Sequence, residues 1–117
     1  MKYLCLVYLD ASKMRAVPDS ECRACGDSFR SRGVLVAAEA LQPVETATTV
    51  RVRNGQLAIT DGPFAETKEV IGGWAILEAP TKEAAMVLAK EFMELHAKHW
   101  PDFDCESELR PMFDMNM

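Results

Sequence analysis

Apolar and polar positions recur along this chain with two periods, and each change of period marks the end of an element. Lys2 to Leu9 (KYLCLVYL) is a nearly continuous apolar run of strand length, which reads as a central strand covered on both faces. Asp10 to Val17 is polar and loop-like. Pro18 with Asp19, Ser20 and Glu21 opens a helix, acids at its positive end, and Gly33 closes it. Cys22, Cys25 and Phe29 share one face of that helix, while Arg23, Asp27 and Arg30 lie elsewhere. Val34 to Leu41 (VLVAAEAL) is the next strand. Period two puts Leu35, Ala37, Glu39 and Leu41 on one face, where Glu39 would be a carboxylate among apolar neighbours, with a raised pKa or a specific partner.

Thr48 to Arg53 alternates as a half-exposed strand, Asn54-Gly55 is a strong hairpin signal, and Gln56 to Thr60 returns as its partner. The arm leads into Asp61-Gly62-Pro63-Phe64-Ala65-Glu66-Thr67-Lys68-Glu69, where Gly62 permits a turn and Pro63 stops the strand. Phe64, the one large apolar residue there, is expected to anchor the loop, leaving Glu66 and Lys68 accessible. Val70 to Ala79 resumes as a strand, and Gly72-Gly73 marks a bulge or a close backbone approach. Trp74 beside it either floors a pocket or fills core. Thr81 caps a second helix whose apolar stripe is Leu88, Phe92, Leu95 and His99, with His96 four residues after Phe92 and Pro101 limiting the far end. Cys105 to Phe113 closes the chain as a strand, with Glu106, Glu108 and Arg110 on one face and Leu109 and Phe113 on the other.

This order is an α+β, ferredoxin-like split βαβ plan with an inserted β-hairpin. Residues 1–117 read as a single domain. Two helices cover one face of such a sheet, so the other face, with Glu39 and Trp74, requires a cover. A second copy of the chain is the economical one, giving a homodimer with sheets packed face to face around a cavity.

Composition narrows the partners. A net charge of −5 and the lack of a basic cluster argue against nucleic acid and anionic membrane. No apolar run reaches the roughly 18 to 20 residues of a membrane span, and no signal-peptide pattern opens the chain. A cytoplasmic location follows as the expectation, with Cys5, Cys22, Cys25 and Cys105 as free thiols.

For chemistry, no dinucleotide fingerprint, Walker loop, zincin motif or nucleophile elbow is present, which points to cofactor-free proton transfer. Asp61, at a strand end beside a fixed turn, is the best-placed base, with Glu39 and His96 or His99 as further acid/base candidates. Lys68 and Arg110 supply cations for an anionic substrate, and Trp74 and Phe64 supply apolar surface. Each has a plainer use: Asp61 capping its own turn, Glu39 in an interface ion pair, the histidines bonding helix-end carbonyls. Cys22, Cys25, His96 and His99 are a conceivable tetrahedral metal set, but the two cysteines face the sheet and no metal is expected.

The segments VLVAAEALQP, TTVRVRNG and DGPFAETKE, followed by MELHAKHW and ESELRPMF, resemble the DGPF-motif branch of the YCII-related family along nearly the whole chain. That resemblance implies a dimeric α+β barrel of ferredoxin-like halves. Where the branch often has Gly-Glu-Gly in its second strand, this chain has Ala38-Glu39-Ala40, keeping the carboxylate and reducing the backbone freedom around it. Some relatives imply lyase or isomerase work on small cyclic acids or lactones. Genes of the branch often lie beside those of sigma factors, which implies the alternative of a non-catalytic ligand-binding or regulatory accessory dimer.

Overall fold

The computed structural model describes residues 1–10, 19–99 and 104–113, without the side chains of residues 19–22 and 99. The expected loop beyond Asp10, the expected helix start at Pro18 and the expected helix limit at Pro101 fall outside these residues. Its elements are β1 (Lys2–Asp10), α1 (Asp19–Ser31), β2 (Leu35–Ala40), a short 3-10 turn (Val44–Thr46), β3 (Thr48–Arg53), β4 (Gln56–Asp61), β5 (Glu69–Glu78), α2 (Lys82–His99) and β6 (Cys105–Pro111). The fold is α+β and ferredoxin-like: an antiparallel sheet ordered β2-β5-β1-β6, with β5 splitting the β1-α1-β2 unit. Asp10 extends β1 by pairing with Glu69, where the composition had suggested loop.

Both helices lie on one face of the sheet. Phe29 of α1 and Leu88 of α2 pack with Cys5 and Leu77 in one cluster, against which Cys25, Val34, Leu35, Ala75 and Leu109 are partly buried. Tyr3, Ala79 and Ala85 form a second cluster at the other end. Burying a side chain such as Leu77 or Leu88 contributes roughly 1.5–3 kcal/mol, and these few residues hold the helices down. Thr81 caps α2 as expected, its Oγ1 accepting the Ala84 amide at 3.1 Å. Gly33 ends α1 in the left-handed region at φ 73°. Arg32, whose guanidinium lies 5.3 Å from the Phe29 ring centre, crosses to Glu91 of α2 at 3.0 Å.

Three features differ from the periodicity. The register of β2 on β5 shifts between Leu35 and Ala37, so Val36 is a bulge residue. Leu35 therefore pairs with Leu77 in the core, while Ala37 and Glu39 turn to the uncovered face opposite Ile76 and Trp74. Because β2 is an edge strand, Glu39 is exposed, where the alternation had suggested a carboxylate enclosed by apolar neighbours. On α2 the buried histidine is His96, aligned with Ala85, Leu88 and Phe92; the expected stripe ran to His99, whose side chain is outside the described residues. Phe113 lies beyond β6 and is exposed, so it does not continue the Leu109 face.

The hairpin β3-β4 forms its own two-stranded sheet, turned by Asn54 (φ 52°) and Gly55 (φ 75°) as the Asn-Gly pair demands. With extents of 45 × 42 × 19 Å, the molecule is no thicker than a sheet with one layer of helices, so the arm lies beside the sheet and not upon it.

Candidate functional site

Between α1, α2 and the helix-covered face of the sheet lies a cavity of 500 Å³. Its floor is Cys5, Val7, Leu9, Ala75 and the Gly72-Gly73 pair, and its walls include Cys25, Phe29, Leu88, Phe92 and His96. The register of β1 on β5 shifts between Val7 and Tyr8, which leaves Gly72 as the bulge residue, and a Cβ on Gly72 would lie 2.6 Å from Leu9 Cδ2. At Gly73 a Cβ would fall 3.3 Å from the Glu39 carbonyl oxygen, so both glycines admit a close approach of their neighbours at this side of the floor. Arg23, Asp27 and Arg30, one polar side of α1, reach the rim, where Arg30 also pairs with Asp27 at 3.3 Å.

His96 is the titratable group that distinguishes this space. Only 4% exposed, it packs on Phe92 with ring centres 4.7 Å apart. Burial pushes its imidazole below the usual 6.5, and the contact with the Phe92 carbonyl only partly opposes that shift. The ring is thus neutral at neutral pH. Nδ1 stands 3.5 Å from the Phe92 carbonyl oxygen, which can only accept, so that contact forms in the tautomer with the proton on Nδ1. Cys5, on the floor, is held in the thiol form: burial raises its pKa, and the hydroxyl of Ser107 at 2.7 Å lowers it by less.

The residues singled out from the sequence separate into two groups. Glu39, Trp74 and His96 all border this cavity, although the strand register points the Glu39 and Trp74 side chains to the uncovered face, so that these two meet it through their backbone. Asp61, Phe64, Lys68 and Arg110 do not line it among the described residues. Asp61 is the exposed last residue of β4, opposite Thr48. Arg110 is exposed on the uncovered face, paired with Leu4.

Phe64 does not anchor its loop as expected: it is 79% exposed. Backbone groups do that work instead. The Gly62 amide donates to the Ala47 carbonyl at 2.7 Å, Thr49 Oγ1 donates to the Gly62 carbonyl at 2.7 Å, and Arg51 Nη2 reaches the Phe64 carbonyl at 3.4 Å. Gly62, at φ 108°, adopts a backbone that other residues resist, which frees Phe64 from any packing duty. Lys68 and Glu66 are exposed, as expected of the loop's charges.

Cys5, Phe29, Gly72, Arg23 and Arg30 were missed as site residues. The signal for the two arginines was present, since i and i+7 on α1 share a face one step from Cys22 and Cys25. A second hollow, of 410 Å³, lies against Tyr8, Glu69, Glu106, Ser107 and Glu108; its charged groups are all carboxylates, which makes it a poor host for an anion. No helix among the described residues is long and apolar enough to cross a membrane.

A two-helix, split βαβ sheet with a side arm defines a ferredoxin-like α+β domain. The profile of the YCII-related domain matches residues 1–99, and the chain belongs to that family. An uncharacterised protein of Rhizobium meliloti (strain 1021) is similar to it, 30% identical over 98 residues that cover 78% of this chain and 79% of the relative.

Proposed function

We propose that this protein binds a small cyclic or anionic acid in the cavity between its helices and sheet, and that it transfers a proton on that ligand without a cofactor, as a lyase or isomerase does. The observation that carries this reading is a buried, neutral histidine lining a 500 Å³ space with arginines at its rim. In it, His96 takes a proton from carbon next to a carbonyl or carboxylate, and Arg23 or Arg30 offsets the negative charge that develops. Apolar walls of Phe29, Leu88 and Phe92 hold the body of the ligand and keep water out. The protein acts as a homodimer whose uncovered sheet faces are buried by the second copy, in the cytoplasm, and the Asp61-Gly62-Pro63-Phe64 motif supports placing it in the DGPF branch of its family.

A second reading has its own support. Asp61 and Lys68 do not line the cavity that holds His96, so among the described residues the expected pairing of these groups is not made within one chain, which favours a binding or regulatory dimer that senses its ligand. One experiment separates the two. Thermal-shift screening of small carboxylic acids and lactones finds the ligand, and proton NMR in heavy water then follows loss of its acidic C–H signal. Exchange that is abolished in His96→Gln, with binding retained, supports catalysis; binding without exchange supports the sensor. Stabilisation that is the same in His96→Gln and Arg30→Ala as in the unaltered protein removes the site.

A further inference from the structure

The arm β3-β4 carries an apolar stripe that no other part of the chain covers among the described residues. Val50 pairs with Ile59 and Val52 with Leu57, all four on one face, and each is between 60% and 69% exposed. Its opposite face, by contrast, is partly covered by the loop that bonds to Thr49 and Arg51. An isolated two-stranded hairpin is marginal in water, so an arm with four bare aliphatic side chains is a surface built to be occupied.

The same chain carries a matching surface. On the uncovered side of the sheet, Leu4, Leu6, Trp74 and Ile76 form an apolar centre, rimmed by Glu39 on one edge and Glu108 and Arg110 on the other. An apolar centre with a charged rim is the anatomy of an interface. The size of the deficit also fits a second copy. A folded monomer of this mass exposes about 6,300 Å², against 8484 Å² here. The difference of roughly 2,000 Å² per chain exceeds the ≈ 800 Å² that each partner contributes to a standard interface. Likewise the radius of gyration is 15.9 Å, where about 13.4 Å is expected for this length. Stacking two slabs, each 19 Å thick, produces a body close to isometric.

We infer that the arm is a clasp: its Val50-Val52-Leu57-Ile59 face packs on the uncovered sheet face of a second copy, reciprocally about a two-fold axis. This rests on the homodimer proposed above and adds where its contacts lie. The reach is sufficient, since six strand residues span about 20 Å and four strands about 14 Å from first to last. Asp61 lies on the same face of the arm as Ile59, so the clasp carries its carboxylate to the partner and not into its own chain's cavity. That accounts for a motif residue that lines neither of the two cavities described above.

Light scattering on a sizing column at micromolar concentration tests this with Val52→Lys/Ile59→Lys, alongside Gln56→Lys on the arm's other face. The expected result is a dimer for the unaltered protein and Gln56→Lys, and a folded monomer of 13.0 kDa for the double variant, its folding checked by circular dichroism. A photo-crosslinking residue at Leu57 provides a second readout that leaves the arm's charge unchanged, with capture of β1 or β5 peptides from another chain as the expected product. A monomeric unaltered protein overturns both the dimer and the clasp. A dimeric double variant, or Leu57 crosslinks confined to the partner's arm, overturns the clasp alone.

Discussion

Replacing glycine by alanine at two positions around the cavity should change stability in opposite directions. At Gly72 the new methyl would lie 2.6 Å from Leu9 Cδ2 and 3.0 Å from its Cγ, so the whole isobutyl group must move, and Leu9 is buried. Overpacking of this kind costs about 1–3 kcal/mol. At Gly26, inside α1, nothing lies within 4 Å of the added atom. There the helix gains about 0.8–1.0 kcal/mol from alanine. For a chain of this length each kcal/mol moves Tm by roughly 4 °C, and urea unfolding followed by circular dichroism measures both variants. A Leu9→Ala background tests the cause: with the clash relieved, Gly72→Ala should cost less than it does alone, a coupling of order 1 kcal/mol. Additivity between these two sites, or a Gly72→Ala variant as stable as the unaltered protein, would refute the packing argument. A destabilised Gly26→Ala would do the same for the open space beside α1.

His96 makes stability depend on pH. Its folded-state pKa lies below the unfolded 6.5, so the unfolded chain binds the extra proton first; the contribution is fully present above pH 6.5 and is lost as the pH falls through that value toward the folded pKa. His96→Gln should flatten that part of the stability profile, measured by urea midpoints between pH 7.5 and about 5. Thr81→Ala should cost about 1 kcal/mol by removing the cap on the Ala84 amide, read from thermal unfolding. Lys68→Ala, at an exposed loop position, should stay within about 0.5 kcal/mol of the unaltered protein in the same assay.

The framework was legible because strong local signals agreed with it. Asn54-Gly55 specified its turn, Thr81 its cap, and the apolar run from Lys2 its place at the centre of the sheet. Gly72-Gly73 announced a bulge, and the register shift opposite Val7 and Tyr8 is that bulge. What escaped was tertiary. A second bulge, at Val36, has no glycine to mark it, and it turned Glu39 to the open face that strict alternation had also given to Leu35. Phe64 looked like an anchor because large apolar residues usually are, but a loop held by backbone carbonyls leaves it outside. His96 was recognised as a candidate, yet its burial depends on how α2 rolls on the sheet, and a 3.6-residue period alone does not separate His96 from His99.

A crystal structure of the protein soaked with a panel of small cyclic carboxylic acids and lactones tests the central claim most directly. The account predicts a ligand seated between α1 and α2, its acidic carbon within about 3–3.5 Å of the His96 ring and its carboxylate toward Arg23 or Arg30. Ligand found instead on the uncovered sheet face or against the Asp61 loop, with the space beside His96 filled by water alone, would contradict it.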